Sequence, residues 1–488
     1  MEPVFPFDLR LPARGQGLLT RQLHGQLRAA ILDGRLPGGF LLPSSRRVAE
    51  ALGIARNTVV QVYDLLIAEG YAIPHKGTKA TVAKLESRSA IRRKRSPRRS
   101  AELGINPLWQ SALLQPSPPR ELPERSFRLG IPEHRFFPHD VWRRLSALSL
   151  RAWSRRSFLY PPSEGIPELR EAIARHVAFT RAVACAGDDV IVTSGAQQAF
   201  DLLARLLVTS GETKVAVEEP GYPPLRAAFV AAGARILPVP VDDEGLCVEQ
   251  LTDDVRVISV TPSHQSPTGV ALSLRRRAAL LEFARTTGAV IIEDDYDGEF
   301  RFGGRPLDAL QTLDRDARVF YVGTFSKSLF PALRKGFVVA PAWAKESLIA
   351  VKHCADSHCD TITQSVLAAF ISEGHLLRHV RRMRPIYAER REALLAALAD
   401  EVSPWLEPIP SEAGLHLSAR IRLPERAAAI MTLARSYVPG AQSTADYAMN
   451  APQHPALTFG YGVIDSGDIT ASLRRFGLAL RSLGFSSP

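Results

Sequence analysis

Apolar positions recur every four residues around Leu23, Leu27 and Ile31, a spacing that predicts an amphipathic helix stopped by Asp33-Gly34 and Pro37-Gly38. A second, short helix is expected after Ser44 or Ser45 as N-cap, with Val48, Ala49 and Leu52 on one face and Gly53 at its end. A third runs from about Ala55 to Glu69, carrying Val59, Val62, Tyr63 and Leu66 at helical spacing before Gly70. Tyr71-Ala72-Ile73 and Ala80-Thr81-Val82 then flank a turn at His75-Lys76-Gly77 and read as a small hairpin.

From about Val82 to Arg125 the chain is rich in Pro, Ser and Arg, with Trp109 and Leu113-Leu114 as its notable apolar points, which predicts a linker. Beyond Phe127 short β-branched runs alternate with helical stretches: Val190–Thr193, Lys214–Val217, Arg235–Val239, Val255–Val260, Ala289–Ile292 and Val319–Val322. That alternation predicts an α/β domain around a mostly parallel sheet. From roughly Ala342 long amphipathic helices lead into a smaller mixed region, with Leu394, Leu395 and Leu398 expected in its core. The expected organisation is therefore a three-helix unit with a hairpin over residues 1–82, a linker over 83–125 and a large domain over 126–488, with a small subdomain from about 342.

Length agrees, because 488 residues exceed one ordinary core. Hydrophobic residues at 45% and charged residues at 23% exclude a disordered or membrane composition. No apolar run reaches the roughly 18 to 20 residues of a membrane helix, and Asp8, Arg10, Arg14 and Arg21 interrupt any signal-peptide core. A cytoplasmic protein with no membrane partner is expected. Its scattered cysteines, Cys185, Cys247, Cys354 and Cys359, are expected as free thiols. The net charge of +11 favours polyanions, and between Lys84 and Arg99 eight basic residues face one acid, Glu86. A solvated linker explains that run as well as one that passes close to phosphates.

The start of the third helix, Ile54-Ala55-Arg56-Asn57-Thr58, has side chains suited to base edges. Arg pairs with guanine, Asn with adenine, and Thr reaches phosphate or a thymine methyl. Ser44, Arg46 and Arg47 suit backbone contacts. A plain three-helix bundle with exposed bases fits the periodicity too. The motifs Gly34-Arg35-Leu36-Pro37-Gly38, Leu42-Pro43-Ser44-Ser45-Arg46, Leu52 to Val59 and Leu66 to Tyr71 closely resemble the GntR-type winged helix-turn-helix over about residues 15 to 85. The resemblance implies double-stranded DNA as partner. It puts Arg46, Arg56, Asn57 and Thr58 against the duplex and His75, Lys76 and Gly77 in the wing. An arginine that some relatives carry one turn further on is replaced by Val60 or Gln61.

Polar signatures follow most of the expected strands, where open α/β sheets bind ligands. They are Ser194-Gly195-Ala196-Gln197-Gln198, Glu219 to Pro223, Thr261 to Gly269, Glu293 to Tyr296, and Gly323 to Leu329 followed by Arg334. A lysine of depressed pKa, a carboxylate for a pyridine nitrogen, a phenol for a ring hydroxyl and a phosphate cradle are what an aldehyde-bearing pyridine phosphate needs. Each is common alone; their order is what makes them informative. In that order they resemble fold-type I, class I/II aminotransferases, and specifically the MocR-type regulators that join such a domain to a GntR-type reader. The likeness extends to Phe136-Phe137-Pro138, Gly165 to Arg170, Arg381 to Arg384 and Gly414-Leu415-His416.

This resemblance implies pyridoxal 5'-phosphate as cofactor, with Lys327 as its Schiff-base lysine, Asp294 at the pyridine nitrogen, Tyr296 at the ring hydroxyl and Tyr222 in the pocket. Gly195, Ala196, Gln197, Thr324, Ser326 and Arg334 would hold the phosphate. It also implies a head-to-tail homodimer in which each reader lies against the partner's large domain. Two positions depart from the pattern: Ser266 replaces the asparagine before Pro-Thr-Gly, and Ala456 replaces the arginine that grips a substrate carboxylate. They favour a sensor of the cofactor or of its adduct with an amine or amino acid over a working aminotransferase, which is the alternative. A scaffold that has lost the cofactor is a third reading. His353-Cys354 and His358-Cys359 read as helix without further ligands, so no metal is expected. Arg275 to Arg277 and Arg381 to Arg384 are expected on helix surfaces or dimer contacts.

Overall fold

The computed structural model describes residues 4–9, 11, 19–75, 80–84, 104–111, 114–115, 121–155, 159–303, 308–452 and 454–482. The wing residues Lys76 and Gly77, and the basic run beyond Lys84, lie outside the described residues. The chain divides into two compact units between Ile105 and Asn106.

In the first unit the helical periodicity yields α1 (Leu19–Leu32), α2 (Ser45–Leu52) and α3 (Arg56–Ala68), followed by the hairpin of β1 (Ala72–Ile73) and β2 (Thr81–Val82). Ser44 is the N-cap of α2 and its side chain accepts from Arg47 N, while Gly53 ends the helix at φ +62°. That left-handed stop turns the chain between α2 and α3 at low steric cost. Leu23, Leu27, Val48, Val59, Val62 and Leu66 bury one shared core, and β1 and β2 pair with Ala72 opposite Val82.

The second unit opens with α4 (His139–Trp153) and α5 (Pro167–Arg181), then alternates β3 (Val190–Thr193), α6 (Ala196–Leu207), β4 (Lys214–Glu219), α7 (Pro223–Ala231), β5 (Arg235–Asp242) and β6 (Gly245–Leu246). It continues through β7 (Val255–Val260), α8 (Leu274–Thr287), β8 (Val290–Asp295), α9 (Leu310–Leu313), β9 (Val319–Thr324) and β10 (Gly336–Val339). The sheet runs in the order β3-β10-β9-β8-β7-β4-β5-β6. Pairing is parallel from β9 through β8, β7 and β4 to β5, and β10 lies antiparallel between β3 and β9. Side chains alternate between two covered faces. Val217, Ile292 and Val322 pack with Phe200, Leu203 and Leu348 on one side, while Ile258, Ile291 and Val319 pack with Leu280 and Ala284 on the other. Burial on both faces explains why these strands read as continuous apolar runs.

Helices α10 (Lys345–Asp356), α11 (Thr361–Ser372) and α12 (His375–Glu401) lead to β11 (Leu406–Pro408), β12 (His416–Ile421), α13 (Ala427–Tyr437), β13 (Gln442–Ser443), β14 (Ala456–Gly460) and α14 (Ser466–Ser482). The four strands form an antiparallel sheet in the order β11-β12-β14-β13. Leu394 and Leu398 of α12 are buried in the same core as Phe476 and Leu480 of α14, with Leu395 packed at its margin. No described helix is long and apolar enough to cross a membrane.

Four expectations need correction. Strands β8 and β9 extend past the β-branched runs into Glu293-Asp294-Asp295 and Gly323-Thr324, because ladder hydrogen bonds to neighbouring strands continue there. The short antiparallel β10 was not anticipated, having only four residues and no alternation. His358 and Cys359 are not helical: α10 stops at Asp356, and the Asp360 carboxylate caps α11 by accepting from the Ile362 and Thr363 N–H groups. Arg276 and Arg277 are buried rather than on a surface. Arg277 donates to the carbonyls of Leu272, Pro262 and Asp308, stitching α8 to two loops.

A charged cluster closes the small subdomain. Glu133 and Asp465 both accept from Arg135 and from Arg390. Burial would raise the Glu133 pKa, but the hydrogen bonds from Arg135 and Arg390 win and bring it to about 2. Hydrogen bonds from Arg135 and then Arg390 likewise hold Asp465 at about 2. Both pKa values are depressed in the folded state, so their stabilisation is complete above the unfolded carboxylate range and lost as pH falls toward 2. Urea midpoints are expected to fall between pH 5 and pH 3, and more steeply than in Arg390→Met. Parallel pH profiles of the two proteins would refute the assignment.

Candidate functional site

One open cavity of about 280 Å³ lies at the carboxyl ends of the sheet strands, lined by Gly130, Ala196, Gln197, Tyr222, Ser266, Asp294, Tyr296, Thr324, Ser326, Lys327, Arg334, His416 and Tyr447 among others. Strand ends deliver these groups. Helix α6 begins directly after β3, Tyr222 is the N-cap of α7 after β4, Asp294 stands in β8, and Lys327 follows β9. Every residue assigned to the cofactor from sequence lines this cavity except Gly195, which sits at its edge against Arg334.

At one end Lys327 Nζ donates to Gly130 O at 2.8 Å. Burial lowers its pKa, opposed by the carboxylates of Asp297 and Asp294. Gly130 has φ +66°, and a Cβ there would stand 2.3 Å from Nζ, so glycine gives the lysine its space. Asp294 is almost fully buried, and its Oδ1 has no hydrogen-bond partner. Burial, then Asp295, Glu218 and Asp297, raise its pKa well above the ordinary carboxylate value, with Lys327 opposing. An orphaned buried carboxylate is costly, and a cationic ring nitrogen would satisfy it.

At the other end, α6 starts at Gly195 (φ +83°) with no side-chain cap, leaving helix N–H groups for an anion. Arg334 Nη2 donates to Ser194 O at 2.9 Å, and a Cβ on Gly195 would come within 2.7 Å of that nitrogen. Thr324 Oγ1 donates to Ser326 Oγ at 2.9 Å and accepts from Ser326 N at 3.2 Å. Helix N–H groups, a guanidinium and two hydroxyls thus form a cup whose chemistry suits an anion. Between the two ends Tyr222 is half exposed, and burial pushes its phenol to about 12. The Tyr296 hydroxyl donates to His264 O at 2.8 Å, close to His264 Nδ1, which is itself 2.9 Å from Asp297 Oδ2.

Sequence reasoning missed Gly130 and Tyr447 and gave His416 no role. Gly130 lies in a turn and Tyr447 ends a four-residue 3-10 helix, both too short to leave a periodic signal. His416, at the start of β12, packs its ring 4.3 Å from that of His264, and burial holds its pKa well below the ordinary histidine value. Ser266 lines the cavity, whereas Ala456 is buried in β14 beside Val270 and Ile409.

In the first unit Arg46, Arg56 and Asn57 are exposed, and Thr58 is half-buried at the start of α3. Arg56 Nε donates to Ser45 Oγ at 3.3 Å, tying α3 to α2. Exposed His75 contacts Thr81 Oγ1 at 2.8 Å across the hairpin. Val60 and Gln61 are exposed on α3.

The family model for bacterial regulatory proteins of the gntR family matches residues 19–82, and that for aminotransferase class I and II matches residues 128–436. Over 471 residues the chain is 37% identical to the probable rhizopine catabolism regulatory protein MocR of Rhizobium meliloti, covering 96% of this chain and 95% of that protein. The chain belongs to the MocR-type family. It is a transcriptional regulator with a GntR-type DNA-binding domain and an aminotransferase-like domain, whose fold implies pyridoxal phosphate. A second MocR-type relative, the pyridoxine biosynthesis regulator PdxR of Corynebacterium glutamicum, is 33% identical over 404 residues, 82% of each chain. Among solved structures, the α-aminoadipate aminotransferase LysN of Thermus thermophilus, complexed with N-(5'-phosphopyridoxyl)-L-leucine, superposes with a TM-score of 0.70 at 29% identity. The match covers 79% of this chain and 100% of LysN.

Proposed function

We propose that pyridoxal 5'-phosphate, alone or as its adduct with an amine, is the effector of this regulator. The observation that carries the reading is the unpaired, buried carboxylate of Asp294 in one cavity with Lys327 and the Arg334 cup. When bound, the cofactor supplies an aldehyde that captures amines and a ring that withdraws electrons. Lys327, its pKa lowered by burial, is the amine that holds the aldehyde. Asp294 holds the ring nitrogen protonated, Tyr296 faces the ring hydroxyl, and Tyr222 covers the ring. Gly195, Ala196, Gln197, Thr324, Ser326 and Arg334 bind the phosphate.

Ala456, which stands where the family resemblance expects an arginine, has no charge with which to grip a substrate carboxylate. This favours the cofactor or a simple amine over an α-amino acid, and sensing over sustained transamination. The name of the PdxR relative supports a link to vitamin B6 synthesis. The protein acts in the cytoplasm as a head-to-tail homodimer, and Ser44, Arg46, Arg56, Asn57, Thr58, His75, Lys76 and Gly77 meet the operator. Ligand binding acts by favouring one arrangement of the paired readers.

A gel shift of the full chain on its own upstream region, with and without pyridoxal phosphate, tests the reading. Identical binding curves would sink the effector role, and steady turnover of an amino acid with a keto acid would favour an enzyme instead. In the same assay Arg56→Ala is expected to weaken operator binding by about 1–3 kcal/mol and relax preference at a single base pair. A uniform loss on every sequence would reassign Arg56 to the phosphate backbone.

A further inference from the structure

Ser194 directly follows β3, and both sides of its peptide are engaged. Its carbonyl accepts from Arg334, and its N–H donates to Gln198 Oε1 at 2.7 Å. Gln198 is the third residue of α6, so its side chain folds back over the helix start as in a capping box, reaching one residue further out. The other end of the amide donates to Asp356 Oδ2 at 2.7 Å. Asp356 Oδ1 accepts from Lys352, whose side chain has 0% exposure. A lysine so buried is costly unless paired. Here its pairing fixes Asp356 in place as the acceptor for Gln198.

The end of α10 is pinned twice to the same turn. Cys359 Sγ lies 3.4 Å from Ser194 Oγ and 3.8 Å from Gln198 Oε1. Between these anchors Ser357 takes φ +63° and ψ −61°, a strained conformation for a residue other than glycine. Such strain persists where the surroundings over-determine it. None of Gln198, Lys352 and Asp356 lines the cavity.

We propose that Gln198 and Asp356 are positioning residues for the ligand's phosphate: the chain Lys352–Asp356–Gln198–Ser194 holds the β3–α6 turn and Arg334 in the geometry of the cup. The inference rests on the cofactor reading above. It assigns to the end of α10, where Asp356 is 158 residues from Gln198 in sequence, a part in selecting the phosphorylated aldehyde over the free one. An oriented cup gains from the dianion through helix N–H groups and a guanidinium held in register; pyridoxal, without phosphate, gains nothing from that order.

The test is titration of the full chain with pyridoxal phosphate and, separately, with pyridoxal, read by absorbance, in wild type, Gln198→Ala and the double variant Lys352→Met/Asp356→Ala. The double variant removes the buried pair together and strands no charge. Both variants are expected to bind pyridoxal phosphate about tenfold more weakly or worse, with pyridoxal changed by less than about twofold. Equal loss of both aldehydes, or no loss, overturns the positioning role. Wild-type protein that takes up neither aldehyde is a separate result, which defeats the cofactor reading itself.

Discussion

Lys327→Ala is expected to abolish covalent retention of pyridoxal phosphate. After borohydride reduction and digestion, the peptide containing residue 327 should carry the cofactor's mass in wild type and none in the variant. Non-covalent affinity should also fall by about a hundredfold or more, because the variant removes the ammonium that opposes the effect of Asp295, Glu218 and Asp297 on the Asp294 carboxyl. The Asp294 pKa would then be raised further, weakening its hold on the ring nitrogen. Because Lys327 lines the open cavity and its Nζ donates to the Gly130 carbonyl, the fold should survive, and thermal melting of the unliganded variant should stay close to wild type. The decisive readout is regulation: operator binding should become indifferent to pyridoxal phosphate. A variant that still responds would show that the cup and Asp294 suffice, leaving the lysine dispensable to sensing.

Much of this site was legible because strand ends carry it. The β-branched runs at Val190 and Val255 locate two turns, and small or polar residues after them have few roles other than meeting a ligand. Asp294 and Lys327 stand in two of these strand-end signatures, with their roles implied by the family resemblance, although β8 and β9 run further than their apolar stretches. The pairing that extends them is non-local, and β-branching does not encode it. Long-range placement is what sequence leaves out. Nothing near Gln198 announces Asp356, and nothing near Arg276 and Arg277 says that two consecutive arginines go inside. A charged side chain is buried only when distant carbonyls converge on it, as those of Pro262 and Asp308 do on Arg277. In the reader, by contrast, Leu23, Val48 and Val59 pack within one short three-helix segment, so periodicity and caps were enough.

Gly414→Ala is expected to be strongly destabilising. Gly414 has φ +84°, where an L side chain costs about 1–2 kcal/mol. The added Cβ would stand 2.0 Å from His264 Cε1, 2.1 Å from His264 Nδ1 and 2.5 Å from Asp297 Oδ2. The backbone has little room to yield, since Gly414 N donates to Phe300 O at 2.7 Å and its carbonyl accepts from Tyr461 at 2.7 Å. Overpacking of this kind adds about 1–3 kcal/mol, so urea denaturation should report a loss of about 2–5 kcal/mol in all. The displaced imidazole is the one whose carbonyl accepts the Tyr296 hydroxyl and whose ring packs on His416, and both of those residues line the cavity. Any protein that does fold should therefore bind pyridoxal phosphate weakly and with an altered absorbance band. Gly467→Ala is the control: it lies in α14 with nothing within 4 Å of the new methyl, and the same added Cβ should there be neutral or stabilising by about 0.5–1 kcal/mol. Equal stability of the two variants would mean that His264 and Asp297 can move aside, and that the wall behind Tyr296 is softer than its geometry requires.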